Sequence, residues 1–319
     1  MRTDAVNCAV TRCDSALSDL EKKEQTGIVL GTYQKCFHLL LNDGRLITVF
    51  GAGRQTMPMS LYTDASAENP FAAAPLEEGQ RAAFSRGHLL IPEANFFCRL
   101  GGAKVNLQRS SLPVPRSADL LRDALLRFGK NKGEGRWLQP WCEYILHGAA
   151  LPVQATLLRR MDTLIKAIDS GGTGMWDGLT RTVGMGCGLT PSADDIICGL
   201  AASAWLYWPK AKKELFLDTL SRFCYELGSE RTTRISCQQL KLTARGILSD
   251  PVYRLAETLS QGQRDAVNSG TVEAVCYGSS SGTELCMGLL AGVHMAARYA
   301  ESEGNRNGKE ELCDQKQVL

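Results

Sequence analysis

A change of hydrophobic period near Pro113-Val114-Pro115 divides this chain into a strand-forming part and a helix-forming part. Before it, apolar residues come in short runs rich in β-branched and aromatic side chains: Ile28 to Tyr33, Cys36 to Leu41, Leu46 to Phe50, Met57 to Tyr62 and His88 to Ile91. Asn42-Asp43-Gly44 between two of these runs is a hairpin turn signal. After it, Leu120, Leu121, Ala124, Leu125 and Phe128 recur on one helical face. Further helices are predicted over Trp137 to Leu146, Gln154 to Ile168, Ser192 to Trp208, Lys212 to Leu227, Thr232 to Ile247, Val252 to Gln261 and Ser281 to Tyr299. The fold class that follows is α+β: an N-terminal antiparallel β domain, sheet or small barrel, and then a mostly α-helical C-terminal domain. The boundaries read as a polar lead-in over 1–25, a β-rich domain over 26–112, a helical domain carrying the site over 113–300 and a disordered tail over 301–319.

Composition narrows the function classes. With 36 Lys+Arg against 34 Asp+Glu the net charge is +2, without the basic excess that phosphate backbones require, so a nucleic-acid partner is not expected. Twelve cysteines in 319 residues fall far short of a disulfide scaffold, and none are spaced C-x-x-C, so they read as reduced, mostly buried thiols. Met1 to Asp19 lacks an apolar stretch of the secretory kind, and the most apolar segments, Ile196 to Trp208 and Leu285 to Ala297, are too short to span a bilayer. The expectation is a cytoplasmic protein with no membrane partner. His38, His88, His147 and His294 show no ligand spacing, and Gly51-Ala52-Gly53-Arg54 precedes Pro58 and not a helix, which argues against a dinucleotide fold.

The segment from Gly184 to Asp195 carries the most chemistry. Three glycines in five positions, then Thr190-Pro191, turn the backbone into an apolar helix, so that unpaired N–H groups gather at the positive end of its dipole, where an anion is attracted. Asp194 and Asp195 sit in the first turn of that helix. Its apolar continuation to Trp208 implies that they are buried and need a partner. A second segment, Gly278-Ser279-Ser280-Ser281-Gly282-Thr283-Glu284, has the same build. Setting Ser192 against Ser281 aligns Asp195 with Glu284, Gly199 with Gly288 and Leu200 with Leu289. The two helices are therefore expected to pack with their N-termini on one site. Gly188, Thr190, Ser192, Ser280, Ser281 and Gly282 would bind the anion, and Asp194, Asp195 and Glu284, the catalytic candidates, would orient the substrate amide or a metal ion. The same pattern is also what two unrelated capping boxes would give. Thr233, Arg234 and Ser236, opening another helix, are further anion-binding candidates. No cofactor is fixed by these residues; Mg²⁺ held by Asp194 and Asp195 is the one candidate.

The block Gly188-Leu189-Thr190-Pro191-Ser192-Ala193-Asp194-Asp195, with Ser281-Gly282-Thr283-Glu284 and Gly288, resembles the AllH-like family, associated with a subunit of oxamate carbamoyltransferase in anaerobic allantoin breakdown. Thr233, Ser236, Leu240, Ala244 and Gly246 add to the likeness, which covers roughly 27–300. The resemblance implies a carbamoyltransferase subunit acting with two larger partner subunits, one similar to acyl-CoA synthetases. Its reaction would be oxalurate plus phosphate to oxamate plus carbamoyl phosphate, and its substrate a small anion. The competing reading is a non-catalytic subunit that binds a metabolite or nucleotide and stabilises those partners.

Overall fold

The computed structural model describes residues 5–316 apart from residue 54, so that the Arg54 end of the glycine turn and residues 1–4 and 317–319 lie outside it. The chain divides into two compact units, Met1–Leu107 and Gln108–Leu319.

The first unit is a barrel. Its strands are β1 (Val6–Asp14), β2 (Gln25–Tyr33), β3 (Cys36–Leu41), β4 (Leu46–Phe50), β5 (Ser60–Thr63), β6 (Arg81–Ser85), β7 (His88–Ile91), β8 (Phe96–Arg99) and β9 (Ala103–Val105). They run β5-β4-β3-β2-β6-β7-β8-β1-β9, and β5 also pairs with β1, which closes eight strands into a ring with β9 beside β1. Closure removes the free edges an open sheet would expose. The alternation read in the sequence places Phe37, Leu39, Leu41, Ile47 and Val49 inside, where Phe37, Phe71 and Phe96 meet edge to face. The hairpin at Asn42-Asp43-Gly44 is present, with Gly44 N–H donating to Leu41 O at 2.9 Å.

Two expectations are corrected here. The lead-in over 1–25 contains β1, which pairs with β8, β9 and β5; its polar residues hid it because only part of the strand is buried. The barrel is also mixed, since β4–β5, β1–β8 and β1–β9 are parallel pairs.

The second unit is helical: α1 (Asp119–Phe128), α2 (Leu138–His147), α3 (Thr156–Asp169), α4 (Met175–Thr182), α5 (Ser192–Tyr207), α6 (Lys210–Glu226), α7 (Gly228–Arg231), α8 (Arg234–Ala244), α9 (Asp250–Gln261), α10 (Arg264–Val275) and α11 (Ser281–Lys316). Short or weakly periodic α4, α7 and α10 were not legible as separate helices. α11 continues past 301, where the sequence suggested disorder: polar Glu- and Lys-rich composition excludes a core, but it does not prevent a helix. α5 lies at the centre, buried from Ser192 through Ala204, with α11 against it. No helix among the described residues is long and apolar enough to cross a membrane. Among the described residues the cysteines are free, and most are buried.

Candidate functional site

The site is built on the contact between α5 and α11. A Cβ on Gly199 would lie 1.9 Å from Leu285 O and 2.7 Å from Leu289 N; one on Gly288 would lie 1.9 Å from Ile196 O and 2.9 Å from Leu200 N. These contacts are reciprocal under the offset that sets Ser192 against Ser281, so the two helices meet as near-equivalent halves around a local two-fold. Only glycine allows backbones this close. Ser203 Oγ donates to Leu289 O (3.0 Å), while Trp141 Nε1 and Trp208 Nε1 donate to Met287 O (3.0 Å) and Gly292 O (2.9 Å), so polar groups beside the apolar crossing hold α11 in register.

With the crossing fixed, the N-termini of the two helices converge. Thr190 Oγ1 and Ser281 Oγ share a hydrogen bond of 3.0 Å, and Thr190 Oγ1 also donates to Asp195 Oδ2 at 3.1 Å. The loop before α5 bends through Gly184, Gly186 and Gly188, each with a positive φ. Among the described residues, no protein acceptor meets the backbone N–H groups of Gly186, Cys187, Gly188, Leu189 and Thr190 in this loop, or those of Ser279 and Ser280 before α11. The anion-accepting character expected of both loops thus has a geometric basis.

Asp194 faces the other way. Its Oδ1 accepts Gly184 N–H (2.7 Å), and its Oδ2 accepts the hydroxyls of Ser236 (2.5 Å) and Thr232. Thr233, the N-cap of α8, accepts Ser236 N–H (3.1 Å) and donates to Leu189 O (2.5 Å). Through these bonds the N-terminus of α8 joins those of α5 and α11, so three positive dipole ends gather at one place. Thr232 and Gly184 were not singled out as Asp194 partners from the sequence; the adjacent Thr233 was the available signal.

The acids differ in their surroundings. Asp194, Asp195 and Glu284 are 0%, 2% and 1% exposed. Burial pushes Asp194 above the usual carboxylate range, against its three donors, and pushes Asp195 well above it, with the Glu284 charge adding and the Ser281 and Thr190 hydroxyls opposing. Glu284 Oε1 accepts the backbone N–H of Glu134 at 2.9 Å. Glu134 too is raised, first by burial and then by Glu284, against the opposing pull of Arg136.

Residues 8–109 match the AllH family N-terminal domain, and residues 182–293 match oxamate carbamoyltransferase subunit AllH. The chain belongs to the AllH family. By its family it is a subunit of a carbamoyltransferase assembly. No solved structure matches the chain.

The AllH segment 182–293 holds both loops, α8 and the crossing glycines. Within it, the predicted residues Thr190, Ser192, Asp194, Asp195, Ser236, Ser281 and Glu284 come together, with Gly188 exposed in the loop and Ser280 half-buried. Three expectations change. Gly282 N–H is spent on Tyr277 O, so it is not a free donor. Arg234 is exposed at the start of α8 and makes no ion pair. The residues do not fit Mg²⁺: Asp194 gives its oxygens to protein donors, and no group of three or more His, Cys, Asp or Glu among the described residues could hold a metal ion. Pro191 occupies the N-cap position of α5, and the Thr190 hydroxyl turns to Ser281 and Asp195.

Proposed function

We propose that this AllH-family chain supplies the substrate site of an oxamate carbamoyltransferase, acting with two larger partner subunits on oxalurate and phosphate to give oxamate and carbamoyl phosphate. The supporting observation is the 3.0 Å meeting of Thr190 and Ser281, which sets two loops with free N–H groups against buried acids. Phosphate oxygen attacks the ureido carbon, the bond from that carbon to the oxamyl nitrogen breaks, and the nitrogen takes a proton. The loops hold the anionic groups and oppose the charge that develops on the ureido oxygen. Asp195, kept protonated by burial, gives its proton to the departing nitrogen, and Glu284 accepts an amide N–H. No covalent intermediate is involved, and positioning carries much of the rate.

Calorimetry with carbamoyl phosphate and oxamate on the full chain tests the placement. Both bind, and the double change Thr190→Val with Ser281→Ala weakens them about tenfold or more, the loss expected for two hydrogen bonds to a charged ligand. In the assembled complex Asp195→Asn lowers kcat about a hundredfold while leaving affinity nearly intact. Binding that needs the partners and tolerates the double change would make this chain the non-catalytic, partner-stabilising subunit.

A further inference from the structure

The start of α11 is covered by the stretch 129–137. Lys130 N–H donates to Thr283 Oγ1 (3.0 Å), Lys130 Nζ to Gly278 O (2.8 Å) and Glu134 N–H to Glu284 Oε1 (2.9 Å). Small residues permit the approach: a Cβ on Gly133 would lie 2.3 Å from Glu284 Oε1, and one on Gly135 would lie 3.2 Å from Thr283 Cγ2. The consequence is two orphaned acceptors. Glu134 is 8% exposed and Glu284 1%, and the Oε2 atom of each is buried without a hydrogen-bond partner among the described residues. Arg136 reaches only the other oxygen of Glu134, Oε1, at 3.4 Å.

A buried carboxylate oxygen with no donor is costly, and natural proteins keep one where a ligand or a reaction uses it. Two such atoms lie on side chains joined through a backbone hydrogen bond beside the serine loop, and the indole Nε1 of Trp137, at the end of the same stretch, is likewise buried without a hydrogen-bond partner among the described residues. Where ionised, both carboxylate oxygens accept only, so the partner they call for carries N–H donors. A second anion would be repelled from the same place, and a methyl group would leave both oxygens as they are. Glu134 falls between the two segments that match the family, 8–109 and 182–293.

We propose that Glu134 is a specificity-determining residue, whose Oε2 together with that of Glu284 receives the N–H donors of a carboxamide or ureido group while the serine loop holds the anionic end of the same ligand. The assignment deepens the function proposed above and rests on it.

Carbamoyl phosphate and acetyl phosphate form the deciding pair, because they differ only by NH₂ in place of CH₃. Titrated into the full chain, with inorganic phosphate alongside, carbamoyl phosphate binds at least about tenfold more tightly than acetyl phosphate. Glu134→Met, of similar volume and without oxygen acceptors, brings the two affinities within about threefold and leaves inorganic phosphate unchanged; Glu134→Gln, which keeps one acceptor oxygen, holds most of the preference. A folded Glu134→Met protein that still prefers carbamoyl phosphate overturns the assignment alone. So does a wild-type chain that binds both acyl phosphates equally, a result independent of any variant. A wild-type chain that binds none of the three ligands overturns the proposed function and this assignment together.

Discussion

Replacing Gly288 with Ala tests whether the site depends on the helix crossing. The added Cβ would stand 1.9 Å from Ile196 O and 2.8 Å from the carbonyl carbon, both backbone atoms of a buried helix that cannot swing aside. To restore a contact of about 3 Å the helices must part by roughly 1 Å. Overpacking of this kind costs about 1–3 kcal/mol, and rigid backbone on both sides puts this case at the upper end. Alanine returns about 1 kcal/mol through helix propensity. The net loss is about 2 kcal/mol, a fall in Tm of about 4–8 °C for a unit of this size. Thermal unfolding followed by helical circular dichroism reads it directly. Gly270→Ala is the control, since its Cβ meets Leu255 Cα at 3.3 Å and Thr258 Oγ1 at 3.4 Å, contacts that a small shift relieves; it should melt within about 2 °C of wild type. A Gly288→Ala protein that melts at or above the wild-type temperature would refute the close-crossing argument.

Other consequences follow from the acids. Asp194→Ala strands the donors of Gly184, Thr232 and Ser236; the hydroxyls can turn away, so the loss in urea unfolding is about 3 kcal/mol and not three full penalties, and a loss below about 1 kcal/mol would show that those bonds do little. Asp194, Asp195 and Glu134 all have raised values, so the folded chain holds protons that the unfolded chain releases. Their contribution to stability is therefore fully present below about pH 4, the ordinary carboxylate value, and declines as pH rises through the raised ones. Asp195→Asn removes one such group, so its Tm should fall less than wild type between pH 4 and pH 8; parallel curves would contradict the burial argument. Oxamate affinity, set beside an acid whose value burial raises, should weaken as pH rises through that value, and a flat profile by calorimetry would place the bound carboxylate away from Asp195.

The two-part fold was legible because each half repeats one period. Leu46 to Phe50 is a short run of apolar and β-branched residues of the kind that forms a strand, and the apolar run behind Asp195 leaves no face for solvent. What stayed hidden depended on partners far along the chain. β1 is only partly apolar, and its pairing with β5 and β8 across 48 to 90 residues leaves no local mark. In the site, the match of Ser192-x-x-Asp195 with Ser281-x-x-Glu284 reported a true convergence, because the glycine one turn further in is what brings helices together. Its chemistry was less readable. Asp194 and Asp195 look alike in sequence, yet one is saturated by protein donors and the other faces Thr190 and Ser281. Glu134 gave no signal at all except the glycines on either side.

That division between neighbouring aspartates resolves an apparent conflict in the site. Loops that attract anions should not sit beside several ionised carboxylates, since like charges a few ångströms apart in a dry environment repel strongly. The charge an incoming anion meets is smaller than the number of acids suggests. Asp194 spends one oxygen on Gly184 N–H at the start of the glycine loop and the other on the Thr232 and Ser236 hydroxyls at the α8 N-terminus, so its charge is offset by protein donors. Burial raises Asp195 well above the usual carboxylate range, which favours its protonated form, a donor as well as an acceptor. Glu134 has the same tendency beside Glu284. The three helix N-termini, with the loop N–H groups that no protein acceptor meets among the described residues, then offset the carboxylate charge that remains. An amide-bearing anion suits such a place better than a simple anion or a simple amide: its charge goes to the loops and its N–H groups go to the oxygens that burial leaves without a donor.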